Sequence, residues 1–65
     1  MKVIRRIPKR EVIELRGPRT VASILEELRI NPETVIVIKG DRLLTGDAWV
    51  EEEDEIEIRP AISGG

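Results

Sequence analysis

One segment of this 65-residue chain carries helical periodicity, and it fixes what the rest must do. Val21, Ile24, Leu25 and Leu28 recur at spacings of three and four, which is a single apolar helical face. Glu26 and Glu27 fall on the water side. Thr20 stands where an N-cap hydroxyl would accept a bond from the first turn. Asn31-Pro32 is the expected stop, because the residue before proline avoids the α region. The spacing predicts a helix over residues 20–29. One such helix needs a second layer against its apolar face.

The flanking segments supply that layer as strands. Residues 2–7 and 11–16 read as a hairpin across Pro8-Lys9-Arg10, with Ile13 and Leu15 on one face. Gly17-Pro18 breaks the pattern. Residues 35–38, Val-Ile-Val-Ile, form a strand apolar on both faces, turned by Gly40-Asp41 into a short extended Leu43-Leu44. Thr45-Gly46-Asp47 turns again, and Ala48-Trp49-Val50 packs back, with Trp49 expected in the core under the helix edge. Residues 51–54 make an acidic turn. The last strand covers residues 55–59, where Ile56 and Ile58 alternate with Glu55, Glu57 and Arg59. Pro60, with no N–H to donate, is expected to end the ladder.

The order is hairpin, helix, strand, short strand, strand. The helical crossover places the first and last strands in parallel at the sheet centre. The predicted class is α+β, a β-grasp with a mixed four- to five-stranded sheet and one helix on one face. Residues 1–60 form the domain, and residues 61–65 are expected as a flexible tail ending in Gly64-Gly65.

Composition narrows the chemistry. Ten Ile, six Val, five Leu and a single Trp form the core stock, which suits a sheet. There is no Cys and no His, so disulfides and thiolate or imidazole metal ligands are excluded. Without His, Cys or Tyr, the acid–base and nucleophilic side chains reduce to carboxylates, Lys, Ser and Thr, a poor stock for an enzyme of this size. A net charge of -2 argues against stable direct nucleic-acid binding. No segment is apolar and long enough to span a membrane or serve as a signal peptide. The expectation is a cytoplasmic, monomeric protein that is not an enzyme and holds no metal. Plentiful Arg and Glu with one Asn and no Gln lean towards a thermophile.

With this element order and a terminal Gly64-Gly65, the chain resembles the ubiquitin-like sulfur carriers. These include the thiazole-synthesis carrier ThiS, the molybdopterin-synthase small subunit MoaD and the carriers for tRNA 2-thiouridine synthesis. The resemblance covers the whole chain and is strongest from residue 46 onward. Asn31-Pro32-Glu33-Thr34-Val35, Leu44-Thr45 and Ala61-Ile62-Ser63-Gly64-Gly65 look most like the bacterial tRNA-thiolation carriers. One departure is Glu53-Asp54, where many ThiS and MoaD members have Gly-Asp before the last strand.

The resemblance implies that the protein is a co-substrate. An ubiquitin-activating-type adenylyltransferase would use MgATP, with no cofactor held by the carrier itself, to adenylate the Gly65 carboxylate. A sulfur donor of cysteine desulfurase or rhodanese type would convert it to a thiocarboxylate. A sulfur-accepting synthase or tRNA thiolase would receive the sulfur. Gly64 lacks a Cβ, so backbone can pass through a narrow channel. Candidate acceptors are a tRNA uridine, the thiamine thiazole and molybdopterin, with tRNA ranked first. Conjugation to lysines as a modifier, or an inert binding module, are the readings from other classes. The resemblance further places Ile36 and Ile38 inward and Val35 and Val37 outward. Val35, Val37 and Leu44 then form the expected docking patch, joined by Ile62 and Ser63 on the tail. The basic cluster Arg5, Arg6, Lys9 and Arg10 reads first as a solvated face paired with nearby acids, with a docking site for an acidic partner or transient contact with tRNA phosphates as the other readings.

Overall fold

The computed structural model describes residues 1–6 and 9–61. Strands β1 (Lys2–Arg5) and β2 (Glu11–Glu14) form the N-terminal hairpin. A two-residue strand β3 (Arg19–Thr20) leads into helix α1 (Val21–Glu27). A short 3₁₀ turn, Pro32–Thr34, enters β4 (Val35–Lys39), which folds back as β5 (Arg42–Leu44). β6 (Trp49–Val50) pairs with β3 in a small second sheet, and β7 (Glu55–Pro60) ends the fold.

The main sheet has the order β2-β1-β7-β4-β5. β1 and β7 run parallel at its centre, with Val3 opposite Ile56 and Arg5 opposite Ile58. All other neighbours in the sheet are antiparallel. This is the β-grasp arrangement expected from the sequence. No helix among the described residues is long and apolar enough to cross a membrane.

The core forms where α1 lies on the sheet. Val21, Ile24 and Leu25 from the helix meet Val3, Val37, Ile56 and Ile58 from the strands, sealed at one end by Met1 and Val50. Met1 belongs to this core down to its terminal amine, which donates to the Leu15 carbonyl at 2.7 Å. Thr20 caps the helix as expected, accepting from the Ser23 N–H at 3.2 Å.

The helix stops at Glu27, two residues short of the predicted end and well before Pro32. Arg29 adopts a left-handed backbone at φ 59, its N–H bonds the Glu26 carbonyl and the Ile30 N–H bonds the Leu25 carbonyl. Those two bonds are a Schellman closure, a motif usually marked in sequence by glycine. Here a non-glycine residue holds the position, so the usual signal is missing. The β4–β5 hairpin turns on Gly40 at φ 65 with Asp41 following, the one-sided positive φ of a II′ turn.

Two expectations about facing are corrected. Val37 is 3% exposed and faces the helix, so Ile36 and Ile38 point to the open side of the sheet. The register decides this: Val37 sits opposite the buried Ile58, and Ile38 opposite Glu57. Val35 and Leu44 follow Val37 to the helix side, packed against the core. Trp49 is not core but 64% exposed. In the β3–β6 pair it lies opposite Thr20, while its neighbour Val50, fully buried, takes the inward place.

Candidate docking face and carrier tail

The route of the tail is set by its neighbours on β4. Asn31 Oδ1 accepts from the Glu33 N–H at 2.9 Å, and the Asn31 carbonyl accepts from the Thr34 N–H at 3.0 Å and its hydroxyl at 2.8 Å. This tight 3₁₀ turn aims the Thr34 carbonyl at β7. Val35 sits opposite Pro60, and the Ala61 N–H donates to the Thr34 carbonyl at 2.9 Å. The ladder thus runs one residue past the proline that was expected to end it. Pro60 lacks a donor, but Ala61 supplies the next one. The candidate residues Ile62, Ser63, Gly64 and Gly65 lie outside the described residues. Four residues can extend roughly 13–14 Å at about 3.3–3.6 Å each.

The face of the sheet away from α1 carries one continuous row. Successive pairings place Val12 opposite Ile4, Ile4 opposite Glu57, Glu57 opposite Ile38, and Ile38 opposite Leu43. The row crosses all five strands at one level. Its ends are open to water, Val12 at 48% and Leu43 at 69% exposure. Ile36, opposite Arg59, widens it towards the tail exit. Exposed apolar clusters of this kind mark interaction surfaces.

At the centre of the row stands Glu57. Arg59 donates to both of its carboxylate oxygens, from Nε at 2.9 Å and from a terminal nitrogen at 3.4 Å, and Arg6 pairs with it from β1. The Arg59 bond and then the Arg6 bond hold this carboxyl below the usual carboxylate range. A single anion therefore serves two guanidiniums.

Of the predicted docking residues, Val35 and Leu44 come together, but on the helix side. With Val21, Leu25, Pro32 and Gly46 they line a groove of about 290 Å³ between α1 and the β4–β5 edge. Val37 lies beneath it and is not accessible. The open-face row and the Arg6–Glu57–Arg59 cluster were missed in sequence. The available signal was alternation: Glu57 lies between core residues Ile56 and Ile58, so it must face away from the helix, as must Ile4 beside core Val3.

The turn before β7 works without a glycine. Asp54 accepts from the Glu51 N–H at 2.8 Å and from Lys39 Nζ at 3.1 Å. The Glu51 bond and then Lys39 hold its carboxyl below the ordinary range. Glu53 has no positive φ, so the turn requires no glycine there. Among the described residues no group of three or more acidic side chains is placed to hold a metal ion.

A β-grasp sheet whose last strand is tied to its neighbour up to Ala61, with Gly64-Gly65 beyond, defines a small ubiquitin-like protein. The sequence profile of the ThiS family matches residues 2–65, and the chain belongs to that family. It is 48% identical over 65 residues, covering both chains completely, to a protein of Thermus thermophilus named sulfur carrier protein TtuB. It is also 43% identical over 53 residues to an uncharacterized protein of Archaeoglobus fulgidus, covering 82% of this chain and 76% of that one.

Proposed function

We propose that this protein carries sulfur on its own C-terminus and delivers it for tRNA 2-thiouridine synthesis. The observation that carries the proposal is the tail: Gly64-Gly65 follows Ala61, the last of the described residues bonded to the sheet, and the family match runs to residue 65. The full-length likeness to a named sulfur carrier and the resemblance of Asn31-Pro32-Glu33-Thr34-Val35 and the tail to tRNA-thiolation carriers support the choice of acceptor.

A carboxylate is a poor electrophile, so activation comes from a partner. The Gly65 carboxylate attacks the α-phosphorus of MgATP in the adenylyltransferase, and pyrophosphate leaves. A persulfide sulfur from the donor then attacks the acyl carbon and AMP leaves. A thiol reduces the acyl disulfide to the thiocarboxylate, whose sulfur is nucleophilic towards an activated uridine. The carrier has no Cys to compete for that sulfur. Its own part is to present a backbone-thin end while the folded body stays outside the channel.

The body docks by the open face, through Ile4, Ile38 and Leu43. This replaces the Val35, Val37 and Leu44 patch, whose members face the helix. Mass spectrometry of the protein from its native host tests the function. One sulfur in place of one oxygen at the C-terminus is the expected result. Isopeptide adducts on lysines without that exchange would make the protein a modifier, and neither would make it a binding module. Transfer of labelled sulfur to tRNA, against thiazole and molybdopterin precursors, tests the acceptor.

A further inference from the structure

The sheet is electrically polarised along its strands. β1 and β7 are parallel, so their C-terminal ends lie together, beside the connection to β2. Arg5, Arg6, Lys9, Arg10 and Arg59 collect at that end, against Glu11 and Glu57. Glu51, Glu52, Glu53, Asp54 and Glu55 collect at the other end, before and at the start of β7, and outnumber Lys2, Lys39 and Arg42 there. On the open face near the tail exit, two of these cations, Arg6 and Arg59, are set against Glu57. Arg6 and Arg59 share that one carboxylate, and both remain about half exposed, at 48% and 51%. Lys9 and Arg10 are exposed and make no ion pair among the described residues.

The cluster sits in the apolar row itself, since Glu57 lies between Ile4 and Ile38. Any partner that covers this row strips water from the cluster. Two guanidiniums and one carboxylate then leave a positive charge unmatched in a low-dielectric interface, which is strongly unfavourable. An apolar surface alone cannot dock here.

We infer that the activating partner meets this face with an apolar patch bordered, on the side of its tail channel, by carboxylates that pair with Arg6 and Arg59. The inference rests on the carrier reading. It assigns two tasks to one face: the apolar row supplies contact, and the two arginines fix which end points into the channel. Lys9 and Arg10 add to the attraction during encounter.

The test is ATP–pyrophosphate exchange by the activating enzyme of the same organism, with the full-length carrier varied in concentration and salt. Arg59→Ala and Arg6→Ala should each raise KM for the carrier about tenfold or more with kcat unchanged, the loss expected for a charge pair covered on docking. Glu57→Gln, which leaves both guanidiniums without their internal partner, should lower KM. Arg19→Ala, on the helix side and paired with Glu27, is the control that should leave KM as it is. Thermal melts accompany every variant, and Arg59→Lys with Arg6→Lys, which keep the charge, should retain part of the affinity if the alanine forms fold poorly. Arginine variants with parental KM would overturn the inference. So would a Glu57→Gln variant whose KM rises with theirs, because the cluster would then serve folding alone. Tight binding of the free carrier to a tRNA transcript, lost in the same arginine variants, would assign the cluster to RNA instead. Absence of exchange with the parental chain would sink the carrier reading itself, a result distinct from these.

Discussion

At the scale of single residues, two neighbours on adjacent strands separate fold from function. Val37 is 3% exposed and Leu43 is 69% exposed, yet both are aliphatic residues in the β4–β5 hairpin. Val37→Asp buries a charge without a partner, which costs several kcal/mol. A single core of this size rarely supplies more than about 3–5 kcal/mol, so the variant should be unfolded at room temperature by circular dichroism. Leu43→Asp should melt within a few degrees of the parent and raise KM in the exchange assay. A folded Val37→Asp would mean that β4 presents its other face to the helix.

At the scale of elements, the end of α1 and the turn before β7 each rest on one residue. Arg29 closes the helix in a left-handed conformation at φ 59, which costs a residue with a Cβ roughly 1–2 kcal/mol. Arg29→Gly should therefore stabilise the protein by about 1 kcal/mol in urea unfolding, because glycine takes that conformation without penalty. A loss of stability would show that the Arg29 side chain contributes more than its backbone costs. In the turn, the folded state holds the Asp54 carboxyl below its ordinary range, through the Glu51 N–H first and Lys39 second. A depressed folded pKa contributes stability above the unfolded value, near pH 4, that disappears as pH falls through the folded one. Glu57 acts in the same sense. The melting temperature should hold from neutral pH to about pH 5 and decline below about pH 4. Asp54→Asn should start lower at neutral pH and decline less in acid, which a series of thermal melts across that range will read.

At the scale of the whole molecule, body and tail are separable. Among the described residues, the last bond to the sheet is made by Ala61, and the core ends at Ile58. Deleting Gly64 and Gly65 should abolish adenylate formation while the melting curve overlays the parent. Gly64→Val should behave similarly, because a β-branched side chain enters where backbone alone should pass. Undiminished exchange by the deletion would leave a binding module. The polarity of the sheet belongs to this scale too. It arises because the parallel β1–β7 pair brings chain segments some fifty residues apart to the same end, as the Arg6–Glu57 pairing at a separation of 51 illustrates.

The order of elements and the helix face were legible in the sequence, because each depends on local patterning. Spacings of three and four mark α1, and alternation marks β7. Alternation also required Val35 and Val37 to oppose Ile36 and Ile38. It could not say which pair faces the helix, since both are aliphatic and β-branched and either would fill a core. The tertiary structure decided that through the β4–β7 register, which sets Val37 against buried Ile58 and Ile38 against Glu57. It placed Trp49 outside by the same logic, giving the inward place to the smaller Val50. The open-face row was hidden for a related reason. Its members, Val12, Ile4, Glu57, Ile38 and Leu43, come from five strands, and only strand pairing makes them neighbours.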